Sequence, residues 1–391
     1  MKKLLTAILL TAGVTAAQAQ SSVSVYGSLD VGYIGSNTTL VATPGGAPSN
    51  TVVNQFGTAA EYSNRMGFKG NEDLGGGTSA FFTLEFQPYP EDQNLSGSSN
   101  SGLLNRQSFV GLKKDGIGAL SLGRQYTPIW RAYCQNSPTQ CNNTVGDAIY
   151  LNAAAGGAGT STSATYSGTE SGLGFTNRAT NALYFASDKY NGVDVTAMYQ
   201  LNSNNKTQTD PATGGETNQS GGGFGANYEF GKFSAHGAYQ QFTQFTTGTA
   251  MSWSDMINTV IVSGKDTQSY LGADYDFGVL KAYVSYINRN ITSTYNSSQF
   301  IKRNAEQVGV RGFFTPRIEG WASVGTGSFT GIGAASSVNF NSYQLGSNYW
   351  LSKRTNLYAI FGSTETSGNQ QTTAGAGSSK NMYAMGVVHK F

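Results

Sequence analysis

Hydrophobic residues in this chain recur at every second position and, past the first residues, form no long runs. Leu280, Ala282, Val284 and Tyr286 alternate with Lys281, Tyr283 and Ser285, and Phe224, Ala226, Tyr228 and Phe230 alternate with Gly225, Asn227 and Glu229. A period of two puts the two sets on opposite faces of an extended chain, so each such segment predicts a strand with one apolar and one polar face. The joints between segments are regular too. Short turns at residues 73–77, 115–118, 188–192, 231–232, 277–278, 315–316 and 352–354 alternate with longer loops rich in Ser, Thr, Asn and Gly. Seven turns and eight loops bound sixteen candidate strands, an even number that brings both chain ends to the same side.

The final residues follow the same rule. Tyr383, Met385, Val387, His389 and Phe391 share one face. An aromatic residue closing the last strand suits a barrel whose final strand must pair with its first, leaving no strand edge exposed to lipid. The expected fold is therefore all-β, a 16-stranded antiparallel transmembrane β-barrel. A soluble β-sandwich alternates in the same way, but three features disfavour it: the short-turn and long-loop asymmetry, the chain length, and the aromatic residues recurring near strand ends.

The start of the chain reads as an export signal. Met1, Lys2 and Lys3 are followed by a short apolar stretch, residues 4–14, and by the small-x-small site Ala17-Gln18-Ala19. That stretch is too short for the roughly 20 residues of a helical span, so residues 1–19 are expected to be a signal peptide and 20–391 the barrel. Without Lys2 and Lys3, 22 basic residues balance 22 acidic ones. This balance gives no electrostatic case for a nucleic-acid partner. The 51 Gly, 22 Tyr and 21 Phe suit tight turns and aromatic girdles at the membrane surfaces. Outer-membrane lipid is the partner this implies.

Residues 126–177 are too long for an ordinary connection between strands. In a barrel wide enough to hold solvent, such a loop can fold back into the lumen and narrow it. The segment 251–262, with Trp253 and an apolar run, is unusual for a loop, and the pattern gives no account of it.

Several segments resemble the general porins of Gram-negative bacteria, most closely their β-proteobacterial branch. These are the mature start Ser21-Ser22-Val23-Ser24-Val25-Tyr26-Gly27-Ser28-Leu29-Asp30, the run from Asn64-Arg65-Met66-Gly67-Phe68-Lys69 into the first turn, Arg106-Gln107-Ser108-Phe109-Val110-Gly111-Leu112, Leu120-Ser121-Leu122-Gly123-Arg124-Gln125-Tyr126, and the ending His389-Lys390-Phe391. The resemblance implies a homotrimeric, water-filled channel with its third loop inside, passing ions and small hydrophilic solutes. It also implies insertion by the barrel-assembly machinery through the C-terminal strand, and no cofactor. Arg65, Arg106 and Arg178 match the family's inward-facing arginine cluster. Strand phase agrees for Arg65, which shares parity with Gly67 and Lys69, and for Arg178, which shares parity with Ala182 and Tyr184. The Pro-Glu-Phe-Gly turn of enterobacterial relatives is missing, Ser28 stands where some relatives have lysine, and Val388 where many have arginine. The channel's shape therefore transfers better than its charge.

A cluster of permanently charged guanidinium groups sets up a transverse field when carboxylates face it across a narrow opening. The acids within the long loop are Asp147 and Glu170. Three wall arginines against two loop acids predict a balanced or slightly positive constriction and weak anion preference. The plainer alternative is that the arginines only brace the loop. Arg124, in phase with Leu120 and Leu122, is expected to point outward. Cys134 and Cys141, in an exported chain, are expected to pair with each other; their Gln, Asn, Ser and Thr neighbours do not suit a metal site. A barrel hydrolase would need a histidine working with Ser or Asp, but His389 belongs to the closing strand and His236 reads as a polar wall residue. An adhesin or receptor stays open as a third class, since residues 202–222 and 366–379 are surface loops.

Overall fold

The computed structural model describes residues 22–40, 47–92, 94–95, 103–151, 169–171, 175–203, 218–245, 253–254, 260–261, 263–294, 296–298, 300–330, 337–367 and 377–391. The expected signal peptide lies outside them, as do most of the two candidate surface loops.

Sixteen strands form the wall. They are β1 (Ser22–Leu40), β2 (Arg65–Gly75), β3 (Thr78–Gln87), β4 (Leu104–Lys114), β5 (Gly118–Tyr126), β6 (Thr176–Ser187), β7 (Val193–Ser203) and β8 (Asn218–Phe230). The second half comprises β9 (Phe233–Phe245), β10 (Gly264–Asp276), β11 (Lys281–Ser293), β12 (Phe300–Thr315), β13 (Ile318–Thr330), β14 (Ser337–Trp350), β15 (Thr355–Ser367) and β16 (Gly377–Lys390). Each pairs antiparallel with its neighbours, and all seven predicted turns fall between strands.

The sheet closes where β16 meets β1, from Ser28 opposite Lys390 to Leu40 opposite Ser378. Phe391 extends this seam: its backbone N–H and C=O both pair with Gly27 at 3.1 Å. Gly27 is required there, because a Cβ would run into the Phe391 ring and the Arg65 carbonyl.

Alternation decides what each face meets. Along β12, Ile301, Arg303, Ala305, Gln307 and Arg311 are buried inward, while Lys302, Asn304, Glu306, Val308 and Val310 point out. The outward set turns from polar to apolar partway down the strand, as expected where a wall enters a hydrocarbon layer. Val284 and Tyr286 likewise point out while Ser285 is buried, as the pattern predicts.

Three additions were not visible in the alternation. Ser49–Thr58 is a further strand that pairs with the upper part of β1, so that β2 borders only residues 22–28 of β1. In the 251–262 segment, for which the pattern gave no account, Trp253–Ser254 pairs antiparallel with Val260–Ile261. The long loop carries a helix, α1 (Pro128–Gln135), and a short strand, Thr169–Ser171, that pairs with β6. Helix α1 starts where local chemistry asks for it: the Thr127 hydroxyl caps the Trp130 N–H at 3.3 Å and Pro128 occupies the first turn.

Candidate functional site

The long loop fills one side of the lumen. Ile129, Ala132 and Tyr133 of α1 pack with Ile149, Leu151 and Phe175 against inward residues of the wall, among them Ala238, Tyr270, Ile287, Ala305, Phe329 and Phe340. Polar wall residues then hold the backbone at successive points. Asn136 donates to Ser285 Oγ and to the Val284 carbonyl, both at 2.9 Å. Arg311 donates to the Pro138 carbonyl at 3.0 Å, and Gln344 exchanges hydrogen bonds with Asn142 and donates to the Val145 carbonyl at 3.0 Å. Gln307 accepts the Ala148 N–H at 2.7 Å, and Arg303 donates to the carbonyls of Ala148 and Ile149. These anchors lie on β11, β12 and β14, so the loop hugs that half of the barrel.

The other half carries the arginines. Arg106 Nε donates to Glu85 Oε1 at 2.9 Å, and its terminal nitrogens donate to Gln87 Oε1 and Tyr126 Oη, each at 2.8 Å. Arg65 lies 4.0 Å from the second oxygen of Glu85 and 4.3 Å from the centre of the Tyr62 ring. Arg178 sits 5.6 Å from the centre of the Tyr126 ring. Tyr126 therefore stands amid all three guanidinium groups, and its ring stacks on Trp130 of α1 at 5.6 Å, tying the cluster to the loop. The structure brings Arg65, Arg106 and Arg178 together around Tyr126, with the carboxylate of Glu85 beside the first two.

That carboxylate is not one the sequence reading had placed there. Asp147 is withdrawn into the loop: its Oδ1 accepts the N–H groups of Ile149 and Tyr150 at 2.9 Å, and its Oδ2 accepts the hydroxyls of Tyr133 and Thr139 at 2.8 and 2.9 Å. A short acid in a loop can satisfy itself on its own backbone, and Asp147 does so, organising the loop instead of facing the arginines. For Glu170 the described part is the backbone, in the strand Thr169–Ser171. Glu85 of β3 is instead the acid beside the arginines, on the same wall between β2 and β4, and parity signals it, since Glu85 alternates with the outward Leu84.

Cys134 and Cys141 have their sulfurs at bonding distance and their Cα atoms 5.5 Å apart, closing a small ring at the end of α1. A non-reduced digest of protein taken from the cell envelope is expected to yield the linked peptides by mass spectrometry; recovery of two free thiols would reject the pairing. His236 has both ring nitrogens engaged, Nδ1 with Asn227 Oδ1 at 2.9 Å and Nε2 with Asp274 Oδ2 at 3.2 Å, as a polar wall residue. Arg124 donates from Nε to the Asn105 carbonyl at an exposed position.

A closed barrel narrowed by an inward loop opposite an arginine wall has a counterpart among known proteins. A family model described as Gram-negative porin matches residues 5–369. The chain belongs to the Gram-negative porin family. Among curated relatives, outer membrane porin protein 32 of Delftia acidovorans is 35% identical over 130 residues, covering 33% of each chain. Major outer membrane protein P.IA of Neisseria meningitidis serogroup B is 30% identical over 258 residues, 60% of this chain and 62% of that one. The matches thus span from a third to about three fifths of these relatives' length. The solved anion-selective porin from Comamonas acidovorans shares the fold, with a TM-score of 0.69 at 21% identity over 95% of this chain and 100% of that one. This porin is an outer-membrane protein of the Gram-negative type.

Proposed function

We propose that this porin forms a water-filled channel for passive diffusion of ions and small hydrophilic solutes, with a mild preference for anions, and that it works as a homotrimer. The observation that carries the reading is the cluster of fixed charge where the lumen is narrowed: three guanidinium groups gather around Tyr126, two of them within 4.0 Å of Glu85. Asp147, the loop acid whose side chain is described, is turned away from them. An excess of fixed positive charge in a confined, weakly screened opening raises the local concentration of anions.

The subunit contact is supported by the outer face of β1–β5. Val23, Val25, Met66, Leu84, Val110, Leu112, Leu120 and Leu122 are all exposed there. The same sector has short strands: β2–β5 span 9 to 11 residues, against 13 to 16 for β8–β16. A low apolar wall suits abutting subunits. The C-terminal strand and Phe391 are what the barrel-assembly machinery would engage.

Planar-bilayer recording tests the reading. Conductance is expected to rise in events that resolve into three equal levels, and the zero-current potential in a salt gradient is expected to report anion preference. Correctly folded protein that inserts without conducting rejects the channel. Cation preference rejects the charge reading, and single-level events reject the trimer.

A further inference from the structure

Between the extra strand Ser49–Thr58 and β2, residues 59–64 enter the lumen as a second inward segment. The chain turns at Ala59, whose φ is 61°. From there Asp30 of β1 makes most of the wall contacts that hold it, and Ser28 Oγ adds one to the Ser63 carbonyl at 3.4 Å. The Asp30 carbonyl accepts the Ala59 N–H at 3.0 Å and the Thr58 hydroxyl. Its carboxylate Oδ2 accepts the N–H groups of Glu61 and Tyr62 at 2.8 and 2.7 Å, its Oδ1 accepts the Tyr358 hydroxyl at 2.7 Å, and its N–H donates to Asn64 Oδ1 at 2.7 Å. Asp30 is completely buried. A buried carboxylate is tolerated only with such a set of donors, so residue and segment specify each other's position.

The other side of the segment meets the tip of the long loop. Asn143 donates from its backbone to the Ala60 carbonyl at 3.0 Å and from its side chain to the Ala59 carbonyl at 2.7 Å and Ser63 Oγ at 3.0 Å. The Thr144 hydroxyl also donates to the Ala60 carbonyl, at 3.2 Å. Ala60 packs with Val145 into a lumen-side apolar cluster that includes Tyr358, Ile360, Met382 and Val388. The long loop is therefore clasped at its far end by residues 59–64.

Glu61 and Tyr62 are left partly exposed. Glu61 Oε2 accepts from Asn356 Nδ2 at 2.7 Å and lies in the field of Arg311 and Lys390. The Tyr62 ring lies between Arg65, at 4.3 Å, and Lys390, at 4.5 Å. Arg311 is itself paired with Glu319 at 2.6 Å, so the cations that flank the exposed part of the segment are Arg65 and Lys390.

We infer that residues 59–64 are a second constriction element, with Asp30 as the positioning residue that fixes it and Glu61 as the acid that moderates the channel's anion preference. The inference rests on the channel reading above. In Glu61→Gln, one negative charge disappears from a segment flanked by Arg65 and Lys390, so the anion-to-cation permeability ratio at low salt is expected to rise about twofold, the effect of a unit charge about 10 Å from the ion path in water. In Asp30→Asn, the side-chain amide has one acceptor oxygen and no charge, so it cannot accept the two N–H groups and the Tyr358 hydroxyl together; the segment loosens, and single-channel conductance and open-channel noise are expected to increase. If Asp30→Asn does not fold, Asn64→Ala, which removes the Asp30 N–H partner and a donor to the Thr58 hydroxyl but keeps the Asp30 carboxylate, is expected to show the same change more weakly. A parent permeability ratio in Glu61→Gln overturns the charge role. Parent conductance and noise in Asp30→Asn, or in Asn64→Ala where the former does not fold, overturn the positioning role. Loss of all conductance in the unmodified, folded protein would reject the channel reading instead.

Discussion

A channel with Arg65 and Arg178 both replaced by glutamine is expected to lose its anion preference at low salt. Arg106 and Glu85 form a close buried pair, 2.9 Å apart with side chains 5% and 2% exposed, and their fields largely cancel at the distance of a passing ion. Arg65 and Arg178, whose guanidinium groups lie over the Tyr62 and Tyr126 rings, are the members of the cluster outside that pair. A unit charge about 5 to 8 Å from the ion path is worth about 0.5 to 0.8 kcal/mol in a water-like medium. Removing two should change the permeability ratio about fivefold to fifteenfold. The shift should fade as salt is raised, because the screening length falls from about 10 Å at 0.1 M to about 3 Å at 1 M. Arg106→Gln is a different experiment. It leaves Glu85 buried with the Tyr26 hydroxyl at 3.2 Å and the more distant Arg65, and breaking such a pair costs about 3 to 5 kcal/mol. Its effect should be local loosening, seen as noise. Reversal potentials across a salt gradient at 0.1 M and 1 M decide the matter: a double variant that keeps the parent value at 0.1 M would make the arginines braces for the loop.

The barrel was legible because its physics is repetitive. A period of two, seven tight turns and an aromatic last residue each follow from closing a sheet in lipid, and none depends on a particular long-range contact. The site was legible only in part. Arg65 reaches the lumen by simple alternation. Arg106 does not: the register jumps from Glu85 opposite Gln107 to Phe86 opposite Asn105, so Arg106 is the extra residue of a bulge. Counting in twos from the outward Val110 and Leu112 would point it at lipid. Only the family resemblance placed it. The count from Ala182 back to Arg178 also crosses a bulge, where Asn181 adopts a φ of 51°. Parity alone therefore does not license that placement, and the contact with Tyr126 does. Bulges add one residue without an obvious mark in the sequence, and they concentrate where a side chain must be re-aimed. Asp147 departs from its expected place for another reason: it turns onto its own backbone, whereas Glu85 was available from the strand phase. Helix α1 also had its signal, a capping threonine followed by proline, hidden within a stretch read as irregular.

The largest mechanical effect is expected from Arg303→Met. Arg303 is almost completely buried behind the long loop, its guanidinium 5.9 Å and 5.6 Å from the ring centres of Phe329 and Phe340. It donates to the carbonyls of Ala148 and Ile149, just after Asp147 has turned the chain. Methionine would fill the apolar slot between the rings and remove the cost of burying a charge. It would also strip a donor from two buried carbonyls, and hydrogen bonds to charged groups contribute about 1.5 to 3 kcal/mol each. The second effect should win locally, because the remaining holds on residues 147–149 come from the Gln307 side chain and the loop itself. The barrel should persist, since its strands are joined by continuous ladders that do not involve Arg303 side-chain atoms. The expected record is a normally assembled channel with higher conductance and frequent fluctuations, but a permeability ratio close to the parent's, since the lost charge lies behind the loop and away from the ion path. Arg303→Lys should fall between the two, because an ammonium keeps the charge but lacks the planar fork and the stacking face. A quiet Arg303→Met channel of parent conductance would show that packing against Phe329 and Phe340, and not the guanidinium, fixes the loop.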